Sequence, residues 1–250
     1  MANRTVFLDI DGTLTSVEGE GPFADDIAGI EKSCQRGIKF FLCTGRSLAN
    51  IPPELAEASW VEGIVAAGGA HVILKGKTLC HNWVPVPVLC EIADLFLAKG
   101  KRCSFRGDKL IFAVNQNGNK VVIQSGDDFV KKYPDARVSM LVADLTMGNE
   151  ERTLLEQYFD IYPQEIHFDC FIKGNGKAKG MQLILDRLSL DRKDSVAIGD
   201  SANDLDIFSC AGKSIAVGNA CDELKAKASW ISAPAGEGGV VKALEYLGFC

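Results

Sequence analysis

Two acid-rich turns carry the residues best suited to chemistry. Asp9-Ile10-Asp11-Gly12-Thr13 follows the apolar run Thr5-Val6-Phe7-Leu8, and Gly199-Asp200-Ser201-Ala202-Asn203-Asp204 follows Ser195–Ile198. Both runs read as buried strands of a parallel sheet. Alternation along an extended chain points Asp9 and Asp11 the same way, and Gly12 permits a sharp turn behind them. Open parallel sheets bind ligands beyond the carboxyl ends of their strands. Carboxylates from two such ends make a site for a hard cation, since magnesium favours one or two carboxylates completed by water and phosphate oxygens.

Plainer readings compete. A calcium-binding loop starting at Asp9 finds Glu20 at its twelfth position, but its sixth position is Leu14 where Gly is required, and a strand precedes it. A solvated polar turn accounts for the first cluster alone. In the second, Ser201 or Asn203 suits a helix N-cap with Asp204 in the first turn, which leaves Asp200 unexplained.

Weaker signals lie elsewhere. Thr44-Gly45-Arg46 follows a second apolar run, Ile38–Cys43, and sets a hydroxyl and a helix start near the same rim; an ordinary strand-to-helix turn explains it equally well. Lys177 and Lys179 stand in a glycine-rich approach to a helix, where surface lysines are the default. Gly212-Lys213-Ser214 fails as a phosphate loop because Ile207 stands where Gly is needed. Gly174-x-Gly176 lacks the third glycine of a dinucleotide fingerprint. His71, His81 and His167 show no close metal-ligand spacing.

These residues need a frame. Strands at Thr5–Leu8, Ile38–Cys43 and Gly63–Ala67 alternate with helices, the first bearing Ile27, Ile30 and Cys34 on one face and ending at Gly37. This order implies right-handed crossovers and a parallel sheet. Lys75-Gly76-Lys77 reads as a hairpin turn. After Trp83 the pattern changes to an apolar helix Val86–Ala98, strands at Lys109–Val114 and Val138–Ala143, a helix over Glu150–Phe159 and a strand near Ile166–Ile172. Leu89, Ile92, Ala93 and Phe96 form the apolar face of the first of these helices. Strict alternation returns with helix Lys179–Leu188. The expected organisation is an α/β core of residues 1–82 and 172–250, with a Rossmann-like parallel sheet, interrupted by an α+β unit over 83–171.

Composition narrows the class. The 250 residues carry 27 basic and 33 acidic side chains, a net charge of −6, which argues against general affinity for nucleic acid or anionic membranes. Nine cysteines, an odd number without C-x-x-C spacing, are expected to be reduced thiols buried as small hydrophobes. No run of 18 apolar residues and no secretory leader is read, so a cytoplasmic protein is expected.

Taken together, Asp9-x-Asp11-Gly12-Thr13, Thr44-Gly45-Arg46, Lys179-Gly180 and Gly199-Asp200-Ser201-x-Asn203-Asp204 resemble, in order and spacing, the haloacid dehalogenase (HAD) superfamily. Val217-Gly218-Asn219-Ala220, Glu223-Leu224-Lys225 and Gly238-Gly239-Val240 are similar to its Cof-type sugar-phosphate phosphatases, with a cap inserted after the third strand. Where those proteins usually have Asn-Gly-Ala, this chain has Gly68-Gly69-Ala70.

The resemblance implies a magnesium-dependent phosphatase of small phosphorylated metabolites, sugar phosphates foremost, acting as a monomer or homodimer. It implies Asp9 as nucleophile forming an aspartyl-phosphate, and Asp11 as acid and then base. Magnesium would lie on the Asp9 and Asp200 carboxylates and the Asp11 carbonyl, with Asp204 behind them. Asp9, Asp11, Gly12, Thr44, Gly45, Lys179 and Asn203 would surround the phosphoryl group. Ionised Asp9, Asp200 and a phosphate dianion bring four negative charges against three positive from magnesium and Lys179. Without the cation, repulsion would reach several kcal/mol at an effective dielectric near 20. A phosphotransferase or phosphomutase with the same residues, and a non-catalytic binding protein on the same fold, are the alternatives.

Overall fold

A computed structural model of the chain describes residues 4–16, 19–116, 118 and 120–250. The chain first lays down β1 (Thr5–Leu8), β2 (Lys39–Cys43), β3 (Val61–Ala66), β4 (His71–Leu74) and β5 (Lys77–His81). It then forms β6 (Cys103–Gly107), β7 (Ile111–Val114), β8 (Val121–Val122), β9 (Val138–Asp144), β10 (Phe159–Pro163) and β11 (His167–Ile172). Last come β12 (Ser195–Gly199), β13 (Lys213–Ala216) and β14 (Trp230–Ile231).

Two sheets result, one ordered β14-β13-β12-β1-β2-β3-β4-β5 and the other β10-β11-β9-β6-β7-β8. Two compact units contain them: Met1–Gly45, Pro52–Leu79 and Gly176–Cys250 form one, and Arg46–Ile51 with Cys80–Asn175 the other. The α/β core and the inserted α+β unit expected from the sequence are both present. Among the described residues, no helix is long and apolar enough to cross a membrane.

In the first unit, β1 lies between β2 and β12, parallel to both, and all four of its residues are buried. A strand buried on both faces needs the unbroken apolar run that Val6-Phe7-Leu8 supplies. The chain leaves β1 toward β2 on one side and returns to β12 on the other, so the order reverses at β1. That reversal opens a crevice at the carboxyl end of β1. The parallel order stops at β3, because β4 turns back antiparallel to it. Helix Ala24–Gln35 packs on helix Gly239–Tyr246, where Gly29 leaves room for Val241. Asp26, fully buried, accepts a hydrogen bond from the Val241 N–H at 2.8 Å, close to the start of that second helix.

The inserted unit has its own core. Leu89, Ile92, Ala93 and Phe96 are fully buried and pack with Phe105, Phe112, Phe129 and Leu141. Lys101 pairs with Glu151 at 2.8 Å and Arg102 with Asp144 at 2.6 Å, so both basic side chains are tied to local carboxylates.

Several elements differ from the sequence reading. Between β2 and β3 the expected helix is only a turn at Leu48–Asn50 and the four-residue Pro53–Ala56. The helix expected to reach Phe159 stops at Leu155, and Phe159 opens β10 because it pairs with Ile172 of β11. Strand β6, absent from the sequence reading, is short and interrupted by Arg106, yet it pairs on both sides with β7 and β9. Helix Gly126–Lys132 was also unread, although Ser125 caps it by accepting from the Asp128 N–H at 3.1 Å. Of the nine cysteines, all free, only Cys43, Cys103 and Cys170 are buried.

The turn after β3 is tight. Ala67, Gly68 and Gly69 all take positive φ, and a Cβ on Gly69 would lie 2.1 Å from the Gly176 carbonyl oxygen. Gly69→Ala therefore combines an unfavourable φ of 93° with a backbone collision. The expected loss is about 2–4 kcal/mol of stability, read as a lower urea midpoint at unchanged slope; a midpoint equal to wild type would refute this account of the turn.

Candidate active site

Strand register places the acids. Leu8 lies opposite Ile198 on one side and Leu42 on the other, so Asp9, Gly199-Asp200 and Cys43-Thr44 emerge together from three adjacent strand ends. The Asp9 N–H still donates to the Ile198 carbonyl at 3.0 Å. Beyond it the chain winds around one acceptor, the Ile10 carbonyl, which receives the N–H groups of Thr13, Leu14 and Thr15. Ile10 and Leu14 are fully buried and anchor this loop. Gly12 has φ +77°, and a Cβ there would stand 2.3 Å from Asp200 Oδ2. Only a residue without a side chain allows this approach of backbone to carboxylate.

A buried ammonium joins the two acid turns. Lys177 Nζ donates to Asp9 Oδ1 at 2.7 Å, Asp204 Oδ1 at 2.6 Å and the Asn203 Oδ1 at 2.6 Å. Its three N–H donors are thereby used. The other oxygen of Asp204 accepts from the backbone N–H groups of Asp200 and Ser201, both at 3.2 Å. Thr13 Oγ1 donates to Asp200 Oδ1 at 3.2 Å. Asp206 Oδ2 accepts from the Ala178 N–H at 3.0 Å and so ties down the helix that carries Lys177.

Electrostatics follow from burial. Asp9 and Asp200 are 5% and 9% exposed. Burial pushes the Asp9 carboxyl well up, opposed by Lys177 and reinforced by Asp204 and Asp200. Burial, with Asp204 next, pushes Asp200 up to about 7. Lys177 moves well above its ordinary value, because Asp204 and Asp9 together outweigh the desolvation that opposes its charge.

The residues expected from sequence divide clearly. Asp9, Asp200, Asn203 and Asp204 converge. Asp11 is half-buried and two residues beyond Asp9, and Thr44 is buried at the end of β2, its carbonyl accepting from the Gly68 N–H at 3.1 Å. Gly45 follows Thr44 at the same strand end. Lys179 is a correction. It is exposed, and the lysine on Asp9 is Lys177. The helix begins at Lys177, two residues earlier than expected, so Lys179 points about 200° away around its axis. Sequence held a usable signal: Lys177, Gly180, Met181, Ile184 and Leu185 form the buried i, i+3, i+4, i+7, i+8 face, which excludes position 179. The Thr13 hydroxyl and Asn219 were also missed, the latter donating from Nδ2 to the Gly12 carbonyl at 2.8 Å.

The sequence profile of the haloacid dehalogenase-like hydrolases matches residues 6–244. The chain belongs to that family. A relative from Methanosarcina acetivorans named phosphoglycolate phosphatase is 36% identical over 250 residues, covering 99% of this chain and 97% of its own. Among solved structures, a HAD subclass IIB sugar phosphatase superposes with TM-score 0.82 at 24% identity, covering 99% of this chain and all of that one. A haloacid dehalogenase-like hydrolase from B. subtilis superposes with TM-score 0.83 at 16% identity, covering 98% and 99%.

A cation suits this HAD site. Carboxylate oxygens of Asp9, Asp200 and Asp204 lie within 4.8 Å of one another, the one such group of three among the described residues. Three carboxylates against one ammonium leave two negative charges, which a divalent ion matches. Lys177 and two N–H groups already occupy Asp204, so Asp9 and Asp200 are the carboxylates that could take a cation.

Two outcomes are expected. Lys177→Met leaves buried acids without their cation and lowers stability by about 3–5 kcal/mol, several-fold more than Lys179→Met at its exposed position, where a surface ion pair is worth at most about 1 kcal/mol. Equal effects in thermal melts would reverse the assignment. Asp200 is raised in the folded state, so its contribution is intact below the unfolded value near 3.8 and is lost as pH rises through about 7. In metal-free protein Asp200→Asn should therefore melt higher than wild type by a margin that grows from pH 5 to 8, with an upper limit of about 4 kcal/mol. A margin independent of pH would contradict it.

Proposed function

We propose that this chain, a phosphatase of the HAD-like hydrolases, releases phosphate from small phosphorylated metabolites, sugar phosphates first among them, through a covalent intermediate on Asp9. The observation that carries this reading is the Asp9 carboxylate at the carboxyl end of β1, bonded to buried Lys177 and grouped with Asp200. The related phosphoglycolate phosphatase and the similarly folded sugar phosphatase support the substrate class.

In the first step an Asp9 oxygen attacks phosphorus and the bond from phosphorus to the ester oxygen breaks. Asp11 gives its proton to the departing alcohol. In the second step Asp11 takes a proton from water, the water oxygen attacks phosphorus, and the bond to Asp9 breaks. Free phosphate leaves and both acids return to their starting states. Lys177 opposes the burial that raises Asp9 and presents a positive charge beside the phosphoryl group, the part expected of Lys179. Thr44 and Gly45, with the Gly12 backbone, line the phosphoryl position, and Asn203 fixes Lys177. Magnesium on Asp9, Asp200 and the Asp11 carbonyl would offset the charge of nucleophile and phosphate, with Asp204 holding Lys177 behind it.

The test is phosphate release from sugar phosphates, phosphoglycolate and p-nitrophenyl phosphate. Chelation by EDTA is expected to abolish release and magnesium to restore it. Asp9→Asn is expected to lose at least about 10³-fold while melting as a folded protein. Full turnover in EDTA, or by the Asp9 variant, would overturn the mechanism. Phosphate appearing on an added sugar rather than free would move the reading to phosphotransfer.

A further inference from the structure

The segment after β13, Val217–Cys221, has no part in the steps above, yet it is bonded to both acid turns. Val217 N–H donates to the Gly199 carbonyl at 3.2 Å, and Cys221 N–H to the Asp200 carbonyl at 2.8 Å. Between them, the Asn219 carboxamide donates from Nδ2 to the Gly12 carbonyl at 2.8 Å and accepts at Oδ1 from the Ala235 N–H at 2.7 Å. The peptide joining Gly12 to Thr13 is thus gripped on both edges, because the Thr13 N–H donates to the Ile10 carbonyl.

That peptide has consequences on either side. Asp11 precedes it directly. Thr13 follows it, and its hydroxyl donates to Asp200 Oδ1 at 3.2 Å. The Gly12 backbone already lies so close to Asp200 Oδ2 that a Cβ would collide with it. Rotation of this peptide would either drive the turn into Asp200 or release the Thr13 hydroxyl. An amide suits the position because one planar group supplies the donor for Gly12 and the acceptor for Ala235.

We infer that Asn219 is a positioning residue of the reaction, its carboxamide holding the Asp11–Thr13 turn against Asp200 and so setting the spacing between the two acid-bearing strand ends. The inference rests on the phosphatase reading given above. It acts through Gly12 and Thr13 and touches none of the reacting atoms. Displacements of about 1 Å at a reacting centre lower rates by as much as 10²-fold, which sets the scale of the effect.

The experiment uses the whole chain with Asn219→Ala and Asn219→Ser, neither of which can bridge Gly12 and Ala235. Turnover of p-nitrophenyl phosphate is measured against magnesium concentration, and Tm is measured with and without magnesium in the absence of ester. The expected result is a kcat lower by about 10–100-fold and a magnesium half-activation raised at least about fivefold. The ester KM stays within about threefold, and the magnesium-induced rise in Tm shrinks. Folded variants with wild-type kcat, magnesium requirement and Tm response would overturn the role. So would failure of both variants to fold, which would make Asn219 a residue of the fold alone. A wild-type chain that neither releases phosphate nor gains Tm with magnesium would instead overturn the functional reading, and the role of Asn219 would fall with it.

Discussion

The structure turns on one buried ammonium. Lys177 is 2% exposed and stands between two buried carboxylates, Asp9 and Asp204, and burial pushes the first of them toward its neutral form. A nucleophile must be ionised, and a carboxylate removed from water resists ionisation. A cation held at hydrogen-bond distance opposes that effect of burial on Asp9, although the carboxyl stays well above its ordinary value, and burial raises Asp200 as well. Much of the core serves this contact. Asp206 anchors the start of the Lys177 helix, Gly180 lets that helix lie directly on Val65 of β3, and Asp204 receives two backbone N–H groups that hold its turn.

The sheet supplies the convergence. Reversal of strand order at β1 brings three strand ends to one place, so residues from the start, the first third and the last quarter of the chain meet without long side chains. Short carboxylates then suffice, and short side chains lose little rotamer freedom when fixed. The inserted unit stands apart in construction. It is closed around its own aromatic core of Phe96, Phe105, Phe112 and Phe129, and its basic residues Lys101 and Arg102 are engaged locally. A unit that folds around its own core can vary its surface without disturbing the acid turns of the other.

Local chemistry determined much of what was legible in the sequence. Asp9, Asp11, Asp200 and Asp204 could be found because each acid follows a short apolar run that must be a buried strand. Gly12 could be read from the turn that such a loop demands. Helix Val86–Ala98 is legible to both ends because its apolar face repeats at helical period and Pro85 precedes it. The plain reading of Ser201 as a helix start holds, since it caps the turn Ala202–Asp204, and Asp204 bonds the Ser201 N–H and Lys177 at once.

Tertiary structure decided the rest. Two lysines separated by one residue are equivalent as local composition, and the phase of their helix against β3 selects Lys177. Its bond to Asp9 spans 168 positions, and that of Asn219 to Gly12 spans 207. Strand β6 exists because β7 and β9 pair with it on both sides, which outweighs its weak local pattern. Sequence by itself determined which residue types stand at strand ends, because burial and turn geometry act over a few neighbours. Which of them touch was decided by strand register and helix phase, which exist only once the sheet has formed.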